Sequence, residues 1–301
     1  MKFLVTGASG LIGQKLINEI LSKGYYINIL TTSKVLNSDK LRIQKFHWNP
    51  EKNIVDSNCI RDVNVIINLA GSPIAQLWTK ASKKSILDSR IKSVELLTQL
   101  IIKNDVKIDH FYCASAIGIY ESKIDLKHDE KSLKTSNSFL GNTVKKWEFS
   151  CNHLIAHNVN VTILRIGLVL SMNGGLLKPI VNSIKYYLGT WFGRGDNIYS
   201  WIHIDDVVNA ILFLIENKRP GIYNLVAPNP VSSKKFTIEI NKILDKKILI
   251  PPIPKKIIKL FTGPMSELLL FSQDVSSNKL KSEGFEFKFS KISLALKDLL
   301  K

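Results

Sequence analysis

Residues 1–13 read MKFLVTGASGLIG, and the fold turns on how this stretch is parsed. Phe3 to Val5 form a short apolar run, Gly7, Gly10 and Gly13 follow at three-residue spacing, and Leu11, Ile12, Leu16, Ile17, Ile20 and Leu21 then recur at helical spacing until Gly24. A strand that passes the chain to a helix through a turn without side chains lets N–H groups at the helix N-terminus approach a pyrophosphate. In this reading Gly7 makes the turn, Gly10 admits the phosphates and Gly13 lets the helix pack against the sheet. Glycines at this spacing also mark ordinary turns, so the weight lies on the apolar run before them and the helical pattern behind.

Working outward, the apolar runs at 26–30, 63–69, 108–114 and 161–166 read as strands buried on both faces. Helical patterns over 80–103 and 139–157 lie between them. Strands alternating with long helices imply an α/β fold, a Rossmann-type doubly wound parallel sheet. Beyond Gly167 the regularity loosens through Gly174–Gly175, GTWFGRGDN, APNP and IPPIP, which is expected to build a smaller C-terminal substrate lobe. The expected division is a dinucleotide-binding domain over 1–225 and the lobe over 226–301, with 167–200 contributing to the lobe. No internal repeat is visible.

The bulk numbers agree with one globular enzyme: 301 residues, 45% hydrophobic, with a mean hydropathy of +0.05. No apolar stretch reaches membrane-spanning length and the first residues lack a signal pattern, so a cytoplasmic protein without a membrane partner is expected. Cys59, Cys113 and Cys151 are odd in number and widely spaced, as reduced thiols would be. The net charge of +17 raises the question of nucleic acid, but Lys supplies 36 of the 42 basic residues and Arg only 6. Base and phosphate reading favours Arg, and the lysines form no block, so no specific nucleic-acid partner is expected.

The glycine turn, NLAG at 68–71, SAIGIY at 115–120 and WIHIDD at 201–206 occur in the order of the extended short-chain dehydrogenase/reductases. DSRIKSVELL, KKWE at 145–148, RIGLVLSMNGG from Arg165 and the terminal LKSEGFEFKFSKISLALKDLL resemble one atypical branch of these, the uncharacterised epimerase-like family in the NAD-dependent epimerase/dehydratase superfamily, with its C-terminal module of unknown function. The resemblance spans essentially the whole chain. It implies a cofactor site of Gly7, Ser9, Gly10, Leu11, Ile12, Gly13, Thr31, Thr32, Ser33, Lys34, Leu69, Ala70, Gly71, Arg90, Lys146 and Leu168.

In the wider superfamily a Tyr and a Lys one helical turn apart exchange a proton with the substrate oxygen, assisted by a Ser or Thr on the preceding strand. Here Asn142 stands four residues before Lys146 and Gly141 four before Lys145, so the inherited tyrosine is absent. The usual hydroxyl position falls on Ala116, with Ser115 one residue early and facing the other side of a regular strand. The catalytic candidates are therefore Ser115, Tyr120, Asn142 and Lys146, with His203 as an outside candidate.

An NAD-binding second strand ends in Asp or Glu to hold the ribose hydroxyls; this chain offers Thr31, Thr32, Ser33 and Lys34, with no acid before Asp39. Hydroxyls and a cation suit a 2′-phosphate, and Arg90 is a second cation for it, so NADP(H) is expected over NAD(H). His153 and His157 are read as a solvated helix face, Asp205 and Asp206 as an acidic first turn of a helix, and Trp78, Trp191 and Trp201 as either cleft walls or core. The expected partners are a small-molecule substrate, either a nucleotide sugar or a carbonyl compound, and a second copy of the chain in a homodimer. Two functions stay open: an epimerase-like oxidoreductase lacking the usual tyrosine, and a catalytically silent NADP-binding regulator or sensor.

Overall fold

The computed structural model describes residues 1–33 and 42–301; Lys34 lies outside them. The chain opens with β1 (Lys2–Thr6), α1 (Leu11–Ser22), β2 (Tyr26–Thr31), β3 (Ile43–Asn49), β4 (Ile54–Val55), β5 (Val65–Asn68), α2 (Lys80–Lys103) and β6 (His110–Ala116). Next come β7 (Lys127–His128), α3 (Phe139–Ser150), α4 (Asn152–Ala156), β8 (Val161–Ile166), β9 (Leu168–Leu170) and α5 (Leu177–Lys185). Then follow β10 (Ile198–Tyr199), β11 (Trp201–His203), α6 (Ile204–Glu216), β12 (Gly221–Leu225), β13 (Val231–Ser232) and α7 (Ser233–Ile243). The chain closes with α8 (Lys255–Thr262), α9 (Ser266–Leu270), β14 (Asp274–Val275), α10 (Asn278–Ser282) and α11 (Ile292–Leu300).

Two compact units interleave: Met1–Ala116, Asn142–Arg165 and Leu214–Ile222 make the first, and Ile117–Gly141, Ile166–Phe213 and Tyr223–Lys301 the second. The main sheet has eight strands in the order β12-β8-β6-β5-β1-β2-β3-β4. β1 pairs in parallel with β2 (Phe3↔Ile27) on one side and with β5 (Phe3↔Val65) on the other, so the strand order reverses at β1. A doubly wound sheet opens a ligand crevice at the carboxyl ends of the strands where that reversal occurs. Phe3, Leu4, Val5, Ile66 and Ile67 are buried, which is why these strands read as unbroken apolar runs.

In the second unit Tyr199, Trp201, Phe236, Ile240 and Leu296 share one core with the buried residues of α5. Asp205 and Asp206 occupy the first turn of α6. The Asp206 carboxylate is buried and accepts the backbone N–H groups of Lys288 and Phe289 at 2.9 and 3.0 Å, fixing the segment that precedes α11. Burial raises its pKa above the usual carboxylate range.

The helix expected over 139–157 is interrupted at Cys151, whose N–H bonds back only three residues to Glu148. β3 is an element the apolar pattern missed. It pairs in parallel with β2 from Ile27↔Ile43 to Thr31↔His47, and antiparallel with the short β4. The three cysteines are free and buried.

Candidate active site

Thr6, the last residue of β1, ties the central strands together through one hydroxyl. Its Oγ1 donates to Asn68 Oδ1 at 2.6 Å and accepts the N–H groups of Leu69 and Ala70, each at 3.1 Å. Asn68 in turn donates to Ser93 on α2. Against this braced edge Gly7 adopts φ +66°, and a Cβ there would meet the Leu69 carbonyl oxygen at 2.5 Å. No other residue fits both the angle and the approach. Gly13 is required for a reason the sequence did not disclose: its Cβ would lie 2.2 Å from the Gly7 carbonyl oxygen, so α1 packs on its own turn.

Gly10 is the N-cap of α1 and provides no side-chain acceptor. By contrast Thr79 caps α2 by accepting from Ser82 N, and Ser232 caps α7 by accepting from Lys235 N. The first N–H groups of α1, near half-buried Leu11 and Ile12, are thus left without a side-chain cap beside an exposed glycine, the arrangement that receives an anion.

The turn borders a cavity of about 820 Å³, lined by Gly7, Ala8 and Ser9, by Ile29 to Ser33 at the end of β2, and by Ala70, Gly71, Ser72 and Ser89. Ile17 on α1 also lines it, and its remaining wall is Lys45, Trp48, Asn49, Pro50 and Glu51. Sequence reading missed this wall because β3 alternates irregularly between exposed and half-buried positions; the single buried aromatic, Trp48, was the available signal. Ser33 N donates to Thr31 Oγ1, which turns the β2 end into a hydroxyl-bearing corner.

Arg90 occupies a different place from the one expected of a 2′-phosphate ligand. It is buried on α2, its Nη1 donates to the Ser72 and Ile86 carbonyl oxygens at 3.2 and 2.8 Å, and its guanidinium lies 5.2 Å from the Trp147 ring centroid. A Cβ on Gly71 would touch it at 3.1 Å. Burial pulls its pKa down to about 10, so it remains a cation that braces the β5 edge.

The catalytic candidates do not form a Tyr–Lys pair. Val144, Trp147 and Ser150 set the buried face of the helix, and Asn142 and Lys146 fall on its exposed side. Tyr120 is fully buried and its hydroxyl donates to Asn224 Oδ1 at 2.7 Å, a packing role in the second unit rather than a proton-transfer one. The Ser115 hydroxyl donates to Glu148 at 2.5 Å. Glu148 also receives Arg165 through Nε at 2.8 Å and Nη2 at 2.7 Å. Both ion-pair partners are largely buried, with side-chain exposures of 8% for Arg165 and 12% for Glu148. The signal in the sequence is an arginine inside the VTILRI strand, where every other residue but Thr162 is apolar.

His203 is buried between Asp205 N, which donates to its Nδ1, and the Asp298 carboxylate at 3.4 Å, with Phe289 against its ring. Leu168 lies on β9 and packs against the second unit's core. Trp78 and Trp201 are buried and spend their indole N–H groups on the carbonyls of Ile74 and Asn229, while Trp191 is half-buried under Lys234. Among the described residues no His, Cys, Asp or Glu cluster is fit to hold a metal, and no helix is long and apolar enough to cross a membrane.

Residues 3–225 match the family model described as NAD dependent epimerase/dehydratase family. The chain belongs to that family. Residues 253–299 match a second model, a domain of unknown function, and the pair of matches agrees with the epimerase-like branch. An epimerase family protein of Staphylococcus aureus (strain N315) is 34% identical over 304 residues, covering 100% of this chain and 99% of the relative. One of Staphylococcus epidermidis is 33% identical over the same share of both chains. Among solved structures, the human epimerase family protein SDR39U1 (isoform 2) with NADPH superposes with a TM-score of 0.85 at 22% identity, covering 99% of both chains. UDP-glucuronic acid 4-epimerase from Bacillus cereus, in complex with UDP-glucuronic acid and NAD, gives 0.80 at 19% identity, covering 99% of this chain and 98% of that one. These likenesses establish the fold of this epimerase-family chain as Rossmann-like α/β.

Proposed function

We propose that this protein is an NADP(H)-binding, epimerase-like oxidoreductase acting on a small molecule, with a nucleotide sugar or a carbonyl compound as the substrate classes to test. The observation that carries the reading is the α1 N-terminus: uncapped by any side chain, fronted by Gly7 and Gly10, and beside the cavity at the reversal of strand order. A nicotinamide dinucleotide fits this donor set. Backbone N–H groups around Gly10, Leu11 and Ile12 would hold its pyrophosphate, Thr31 to Ser33 its adenosine ribose, and Leu69 to Gly71 the following stretch. When bound, the cofactor supplies hydride exchange at its nicotinamide ring.

Preference for NADP(H) is supported by the hydroxyls at the β2 end. Glu51 is the one carboxylate among the described lining residues, and it sits after β3 rather than at the β2 end where a ribose clamp belongs. The human relative crystallised with NADPH supports the same reading. Calorimetric titration with NADPH and NADH tests it: tighter binding of NADPH is expected, and equal affinity or a preference for NADH overturns the assignment.

The placement of Tyr120, Asn142 and Lys146 favours a second reading, a binding protein without turnover. Any turnover would have to come from Ser115 and Glu148, which already satisfy one another. Following NADPH oxidation or NADP+ reduction with pooled metabolites separates the two. Turnover that falls in Ser115→Ala identifies the enzyme, and tight binding without turnover identifies the sensor.

A further inference from the structure

We infer that Lys45 on β3 is the residue that selects the 2′-phosphate of NADP(H), an assignment that rests on the cofactor reading above. β2 and β3 run parallel with Ile29 opposite Lys45 and Thr31 opposite His47. Residues paired across a ladder project to the same face, and so do residues two apart along a strand. Lys45 therefore stands beside Ile29, one step along the face from Thr31, and all three line the cavity.

A 2′-phosphate hangs from the adenosine ribose, which a doubly wound site holds at the end of the second strand. That end is on the β2 and β3 side of β1. Arg90 is braced against Gly71 and Ser72, which follow β5 on the other side of β1, and two of its hydrogen bonds are spent on carbonyl oxygens. Lys45 is differently placed: it is exposed, and among the described residues it enters no ion pair. A mobile ammonium beside the hydroxyls of Thr31, Thr32 and Ser33 makes a phosphate corner of one cation and three hydroxyl groups.

The test is calorimetric titration of NADPH, NADH, adenosine 2′,5′-bisphosphate and adenosine 5′-monophosphate into the full chain and into Lys45→Met and Lys45→Arg. A charge-assisted contact to phosphate predicts that Lys45→Met weakens NADPH and the bisphosphate by about tenfold or more. NADH and the monophosphate should stay within about twofold, and Lys45→Arg should keep most of the preference. The salt dependence of NADPH binding should also become shallower in Lys45→Met. Equal losses for both dinucleotides, or no loss in either, overturn the assignment while leaving the cofactor site standing. Failure of the unmodified protein to bind either dinucleotide overturns the cofactor reading and this inference with it. Circular dichroism and thermal unfolding of each variant confirm that the protein titrated is folded.

Discussion

At the end of β1 the polar groups on offer are backbone N–H groups, kept apart from any side chain by Gly7 and Gly10, whereas at the end of β6 and along α3 they are side chains that have already found one another. The first region is open because its cap residue is a glycine. The second is closed because Ser115, Glu148 and Arg165 share three hydrogen bonds in a largely buried setting. Both belong to the same unit and the same sheet. The difference separates two tasks the superfamily usually performs together: holding a dinucleotide needs the first region, while moving a proton by the inherited route needs a tyrosine four residues before Lys146, where the second region has Asn142.

The largest expected effect lies in the closed region. Arg165→Met leaves the Glu148 carboxylate buried without its cation and should cost about 3–5 kcal/mol, read as a lower urea midpoint. Adding Glu148→Leu should restore most of that loss, since an apolar pair replaces a buried ionic one at little cost. A loss below about 1 kcal/mol for the single variant would place the pair with exposed ion pairs and end the contrast.

In the open region Gly10→Val should reduce NADPH affinity by roughly 100-fold while leaving the fold in place, because a branched side chain takes the pyrophosphate's position. The backbone there is extended at φ −74°, which a side chain can adopt, but a new Cβ would stand 3.2 Å from the Gly7 carbonyl oxygen, so the turn must shift by a few tenths of an ångström, and thermal unfolding of the variant checks that the fold is kept. Unaltered affinity in a folded variant would mean that the open turn is not where the cofactor binds.

Acid titration sharpens the picture of β6 from its other end. Burial drops the His110 pKa from 6.5 to about 4, and the ring meets Thr162 Oγ1 at 2.7 Å. The folded state thus resists a proton that the unfolded chain accepts. This contribution is complete above pH 6.5 and is lost as pH falls towards 4. His110→Gln should therefore narrow the difference between urea midpoints at neutral and mildly acid pH. An unchanged difference would assign the acid sensitivity to other groups.

The smallest effects belong to the outward face of α3. Asn142→Ala and Lys146→Ala should each alter stability by no more than about 0.5 kcal/mol and leave NADPH affinity unchanged in the same titration. Asn142→Tyr should create no turnover, because the new hydroxyl would stand in solvent. A measurable gain would show that α3 presents this face to the substrate.

Much of the fold was readable because periodicity and burial agree in it. α2 runs over Lys80–Lys103 and β8 over Val161–Ile166, as their patterns predict, since a long helical pattern and a short run that is apolar but for Thr162 and Arg165 each favour one reading. β3 was hidden because only Trp48 is buried among its residues, leaving neither alternation nor an apolar run to detect. The break at Cys151 carries no proline or glycine to announce it. The glycine turn was legible because steric demands at Gly7 and Gly13 leave few substitutes. The register of α3 was not, since spacing to a lysine says nothing of which way a helix is rotated; the phase of Val144, Trp147 and Ser150 does.

The chain passes between its two compact units at 116/117, 141/142, 165/166, 213/214 and 222/223, and four of those passages fall inside α3, β8, α6 and β12. A helix or strand that belongs to both cannot be cut without unravelling an end in each. No single truncation therefore releases either half as a free-standing piece, and exchange of parts with a relative would have to proceed by matched mosaics of three segments. The molecule is divisible in space and indivisible along its gene.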